Sequence, residues 1–143
     1  MRVSSILSSK GSTVATTAPT APLVEAINEL RLRGVGALVV SGDGRHIDGI
    51  VSERDIVRGI GEKGIDILRR PVSDLMTKNV VTCSEQHSLD EMMGVMTQGR
   101  FRHVPVVVDG KLAGIISIGD VVKHHIAAVQ LEVTAMREYL ATG

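Results

Sequence analysis

Apolar residues along the chain follow helical and strand-like rhythms by turns, and the whole series occurs twice. Leu23, Ile27 and Leu30 mark one face of a helix from about Leu23 to Arg33, with Thr20 expected as cap, Pro22 in the first turn and Gly34 beyond the end. Leu89, Met92, Val95 and Met96 mark the same face of a helix over Ser88 to Gln98, where Ser88 and Glu91 spell a capping box and Gly99 closes. Runs rich in Val and Ile follow each helix. They predict hairpins from Leu38 to Val51 around Gly42-Asp43-Gly44, and from Val104 to Ile116 around Asp109-Gly110. Short strands at Val14 to Thr16 and Val80 to Thr82 precede the helices, and new helices open at Ser52 and Ser117. The order is β-α-β-β-α twice, an α/β (α+β) fold.

A shift of 65 residues lays Gly49-Ile50-Val51-Ser52-Glu53-Arg54-Asp55 over Gly114-Ile115-Ile116-Ser117-Ile118-Gly119-Asp120, with Gly, Ile, Ser and Asp in register. The same shift places Thr17 on Thr82, Gly34 on Gly99 and Ala37–Val40 on Arg102–Pro105, with no gap expected anywhere. The expected organisation is a first repeat over residues 1–60, a Gly-punctuated connector over 61–71, a second repeat over 72–126 and a helical extension over 127–143.

The last helix outruns what a small core needs, since its pattern continues from Ser117 to about Tyr139. Val122, Ile126, Val129, Val133, Met136 and Leu140 alternate steps of four and three residues. That is a heptad seam, and it predicts helix-to-helix packing in a homodimer.

Composition narrows the function. Lys plus Arg and Asp plus Glu stand at 16 each, so no global field draws the chain to nucleic acid or an anionic membrane, and any anion site must be local. With no Trp, one Tyr and one Phe, there is little surface on which to stack single-stranded bases. The lone Cys83 fits a reducing compartment, and the N-terminal apolar run is too short for a signal peptide, so a cytoplasmic protein is expected. Histidines at 46, 87, 103, 124 and 125 make no metal-ligand spacing, and Met92, Met93 and Met96 read as core filler; no metal site is expected. No nucleophile elbow, P-loop or dinucleotide fingerprint is present, which argues against catalysis.

The remaining candidate is the twice-repeated Ser-x-x-Asp at a strand-to-helix junction. As local structure it is a capping box. As chemistry, its carboxylate can accept hydrogen bonds from a ribose diol, its hydroxyl and helix amides suit phosphate, and Gly49 and Gly114 permit close backbone approach. Arg54 in one copy, and Arg100, Arg102 and His103 in the other, add cations suited to an anion.

With the segments Arg100-Phe-Arg-His-Val-Pro-Val106 and Asp74-Leu-Met-Thr77, these motifs make the chain resemble a tandem pair of CBS domains, or Bateman module, over Val3 to Ile126. The resemblance implies two repeats about a pseudo-twofold axis and a non-catalytic sensor of an adenine nucleotide: AMP, ADP, ATP or NAD(H), with S-adenosylmethionine or a purely structural role as alternatives. It further implies that Asp55 and Asp120 hold ribose hydroxyls, Ser52 and Ser117 face ribose or phosphate, Arg54 contacts phosphate, and Thr17 and Thr82 lie beside adenine. Arg102 and His103 join this set without a definite cleft.

Overall fold

The computed structural model describes residues 1–142. In chain order these form α1 (Val3–Lys10), β1 (Thr16–Thr17), α2 (Leu23–Arg33), β2 (Ala37–Val40), β3 (Gly49–Ser52) and α3 (Glu53–Lys63). Two 3-10 turns, Ile65–Arg69 and Val72–Asp74, lead to α4 (Leu89–Gly99), β4 (His103–Val108), β5 (Lys111–Ser117) and α5 (Ile118–Thr142). In each half an antiparallel hairpin lies under its helices. β2 pairs with β3 from Ala37 opposite Ser52 to Val40 opposite Gly49, and β4 pairs with β5 from His103 opposite Ser117 to Val108 opposite Lys111. The second hairpin turns on Asp109 and Gly110, both at positive φ, 52° and 76°, as a two-residue turn between twisted strands demands.

Two apolar cores result, one per half. Leu23, Leu30, Leu38, Val51 and Ile56 centre the first; Leu89, Met92, Met96, Val104 and Ile116 centre the second. Met92 and Met96 are thus core filler, and Met93 lies at the margin. Cys83 is buried in the second core, and burial pushes its thiol up to about 11, which leaves it unreactive at neutral pH.

The halves are tied together by exchange of the segments that precede them. α1, a helix absent from the expected β-α-β-β-α order, comes before the first half yet buries Val3, Ile6 and Leu7 in the second core. Val72, which comes before the second half, is buried in the first. The backbone bonds match: Leu23 N–H donates to the Arg70 carbonyl at 2.8 Å and Val72 N–H to Ala21, while Leu89 N–H donates to Met1 at 3.1 Å and Val3 N–H to His87. The bond from Leu23 also explains why Thr20 does not cap α2. The crossing segment satisfies the first amide, and the N-cap is Pro22, with no side-chain bond. α3 likewise runs three residues into the expected connector, to Lys63, before Gly64 ends it at φ 87°.

The repeat is not gap-free. Thr17 stands opposite Val40 and Cys83 opposite Val106, both in parallel, so the equivalent pairs are 66 apart (83 from 17, 106 from 40) before the hairpin turn. After it Gly49 and Gly114 face those same strand residues, 65 apart, so the first turn is one residue longer. Three expectations shift accordingly. Thr82 corresponds to Thr16, and Cys83 to Thr17. Gly99 lies inside α4, and the residue that closes it in the left-handed region is Arg100 at φ 57°, matching Gly34 at φ 64°. Ala37–Val40 corresponds to His103–Val106 rather than to Arg102–Pro105.

The opening strands also lie later than expected. β1 is Thr16–Thr17, and its counterpart shrinks to a bridge at Cys83. Val39 N–H donates to Ala15 at 3.2 Å in the first half. Its equivalent is Pro105, which has no N–H to give, so that ladder is shorter.

Candidate functional site

Both Ser-x-x-Asp motifs fold as complete capping boxes. Ser52 Oγ accepts the Asp55 amide at 3.2 Å while Asp55 Oδ2 accepts from the Ser52 amide and hydroxyl, each at 2.9 Å. In the other half Asp120 N–H donates to Ser117 Oγ at 3.1 Å, and Ser117 N–H to Asp120 Oδ2 at 2.9 Å. One oxygen of each carboxylate is committed to the cap. Among the described residues the Oδ1 atoms make no hydrogen bond and remain acceptors.

The two glycines before the motifs serve the fold. A Cβ on Gly49 would lie 2.7 Å from Met76 Sδ and 2.8 Å from the Thr77 carbonyl, and one on Gly114 would lie 2.7 Å from Leu7 Cδ2. They admit the crossing segments, and the close approach expected for a ligand is taken up by the chain itself.

The motifs then diverge. Around Asp55 a cleft of about 610 Å³ opens between the halves, within the size range of small-molecule sites. The first half lines it with Gly36, Ile50, Ser52, Glu53, Arg54, Asp55 and Arg58; the second contributes Thr77 and Gly99 to His103. Arg102 and His103 therefore belong to the cleft of Asp55, which the sequence had left open. Four arginines, 54, 58, 100 and 102, face two carboxylates there, and among the described residues none of the four makes an ion pair. In a chain with no net charge, this is a local excess of cation.

Asp120 meets a different environment. Lys10 Nζ, from α1, reaches its Oδ2 at 2.7 Å and the Ile115 carbonyl at 3.0 Å. Burial pushes the Asp120 carboxyl up, but the bonds from Lys10 and Ser117 outweigh it and hold the group below its ordinary range. Gly119 stands where the first motif has Arg54.

His103 stands between the two motifs. Its ring approaches Gly36, with Nε2 3.4 Å from where a Cβ would be, close to Glu53. Burial lowers its affinity for a proton, Lys10 and Arg102 add to that, and Asp120 and Glu53 oppose it.

This arrangement matches a known family. The CBS domain model matches residues 3–62 and again 72–126. The chain belongs to the CBS-domain family. The crystal structure of the CBS-domain-containing protein ATU1752 from Agrobacterium tumefaciens shares 46% identity and superposes with a TM-score of 0.84, over 87% of this chain and 99% of that one. CBSX3, a mitochondrial CBS-domain protein of Arabidopsis thaliana, is 32% identical over 83% of this chain, which spans 60% of that protein's length. A structure of CBSX2 in complex with AMP shares 27% identity at a TM-score of 0.69, covering 84% of this chain and 90% of that one.

In this CBS pair, not every residue singled out from sequence reaches the cleft. Ser52, Arg54, Asp55, Arg102 and His103 line it together; Ser117 and Asp120 form the second motif beside Lys10. Thr17 is buried on β1 and Thr82 is exposed ahead of Cys83, and neither lines the cleft. Arg58, Phe101 and Thr77 were missed. Arg58 was findable, because it lies one helical turn beyond Arg54 and so shares its face. Among the described residues no three His, Cys, Asp or Glu side chains cluster to hold a metal, and no helix is long and apolar enough to cross a membrane.

Proposed function

We propose that this CBS pair is a non-catalytic regulatory module that binds an adenine nucleotide, AMP, ADP, ATP or NAD(H), in the cleft beside Asp55. One observation carries the reading: guanidinium groups from both repeats converge with a half-committed carboxylate on one cleft of nucleotide size. Asp55 Oδ1 accepts from a ribose hydroxyl, the arginines take phosphate, and Ile50 and Phe101 offer apolar surface to a purine. The AMP complex of CBSX2 supports the ligand class. The module, as we read it, works in the cytoplasm as a homodimer and passes its ligand state to a partner protein.

Calorimetric titration with AMP, ADP, ATP, NADH and S-adenosylmethionine tests this. Asp55→Ala is expected to weaken nucleotide binding about tenfold or more, the size of a lost charge-assisted hydrogen bond. Because that variant also loses a cap, Arg100→Gly is the cleaner partner. It removes a cleft cation while relieving left-handed backbone at φ 57°, so affinity falls as the fold holds. No heat with any ligand, or unchanged affinity in both variants, defeats the proposal.

The completed capping boxes favour one alternative, a structural module in which Asp55 and Asp120 only secure helix ends. In that case Asp55→Ala lowers the melting temperature and leaves ligand response untouched.

A further inference from the structure

We infer that α5 pairs with α5 of a second copy as a parallel, in-register coiled coil. Beyond Val121, the last side chain of α5 buried in the core, the helix continues for over five turns to Thr142. Val122, Ile126, Val129, Val133, Met136 and Leu140 remain between 39% and 72% exposed along it. At 100° per residue they form one stripe, roughly a quarter turn round the helix from the face of Val121, His125 and Ala128 that the chain covers itself. The seam is therefore free while the domain is folded.

Spacing selects a helix as the occupant, and charge selects a second copy in parallel. With Ile126, Val133 and Leu140 at position a and Val122, Val129 and Met136 at d, Glu132 falls at g and Arg137 at e. In a parallel pair g of one helix faces e of the next heptad in the other, so Glu132 meets Arg137 twice across the dimer. An antiparallel pair that mates Ile126 with Met136 and Val133 with Val129 opposes Glu132 to Glu132 and Lys123 to Arg137, like against like. Neither Glu132 nor Arg137 makes an ion pair within its own chain among the described residues. The β-branched side chains of Ile126 and Val133 at a suit a two-stranded coil. Both modules then sit at the same end of one stalk.

Sedimentation of the full chain over a range of concentrations reads the dimer, and four variants read its geometry. Val133→Asp is expected to abolish dimers while circular dichroism shows the repeats still folded. Glu132→Lys is expected to weaken dimerisation about tenfold by turning two attractive pairs repulsive, and adding Arg137→Glu to restore it. Val129→Cys, at a d position, is expected to form an interchain disulfide on oxidation, with buried Cys83 no competitor. A wild type monomeric at every concentration, a dimer indifferent to Val133→Asp, a Glu132→Lys effect that Arg137→Glu does not reverse, or no disulfide overturns the inference.

Discussion

His103 shows how much a single side chain can report. It occupies the first position of β4, opposite Ser117, where the first repeat has Ala37 opposite Ser52. A ring in place of a methyl group reaches across to Gly36 and Glu53, and so feels the charges of both motifs: Lys10 and Asp120 on one side, Glu53 and Arg102 on the other. Burial comes first among the effects that hold its proton affinity below the ordinary value of 6.5. The sign of the linkage follows. The unfolded chain takes up this proton at about 6.5, before the folded chain does, so stability is lost as pH falls from there toward the folded value, and is regained as pH rises. Melting temperatures across that window are expected to show a shallower slope in His103→Gln than in the wild type. On the proposed reading, phosphate bound in the cleft favours the imidazolium, so the imidazole resonance of His103 is expected to titrate at higher pH when nucleotide is added. An unchanged titration with nucleotide bound would place the phosphate elsewhere.

At the scale of elements, the crossing segments hold the two repeats together, and the glycines that admit them set the tolerance. Gly49 faces the Thr77 carbonyl as well as Met76, whereas the atoms nearest a Cβ on Gly114 all belong to the Leu7 side chain. Backbone cannot step aside as a leucine terminus can, so Gly49→Ala is expected to destabilise by about 1–3 kcal/mol and Gly114→Ala by less than about 1 kcal/mol, as chemical denaturation will read. Much of this layer was legible in the sequence: both hairpins, three of the five helices closely, and the capping boxes came from period and turn chemistry. What escaped did so for physical reasons. α1 has too short a period to announce itself, and which core it joins depends on a contact with residues some eighty positions on, Val3 with His87. The one-residue difference in hairpin turns was hidden because identities, Thr17 with Thr82 and Gly34 with Gly99, lined up better than backbone roles did. Arg100 holds the left-handed position that glycine holds in the other repeat, and letter matching had no means to see it.

For the whole molecule the consequence is asymmetry. Two copies of one unit, exchanged about an approximate twofold, generate two places where a Ser-x-x-Asp helix start faces the opposite repeat. Divergence has left them unlike. The first has Arg54 and Arg58 on α3, and receives Arg100 and Arg102 from the end of α4 and the approach to β4. The second has Gly119 in place of Arg54, and its carboxylate is engaged by Lys10 at 2.7 Å, a pair whose side chains are 35% and 25% exposed. Screening limits such a pair to about 1 kcal/mol of stability. Its effect on binding is more direct, because one Asp120 oxygen is shared by Ser117 and Lys10 and cannot be released without breaking both contacts. A nucleotide therefore finds arginines without an ion pair, among the described residues, beside the free acceptor of Asp55, whereas the cation beside Asp120 is already engaged. Titration is expected to give one nucleotide per chain, so a parallel dimer carries two, one in the Asp55 cleft at the head of each α3. Thermal unfolding should rise with nucleotide concentration as a single-site linkage, by about 2.7 kcal/mol at one hundred times the dissociation constant. Two equivalents of equal affinity per chain would mean that Lys10 gives way, and the two motifs would then have to be treated as one kind of site.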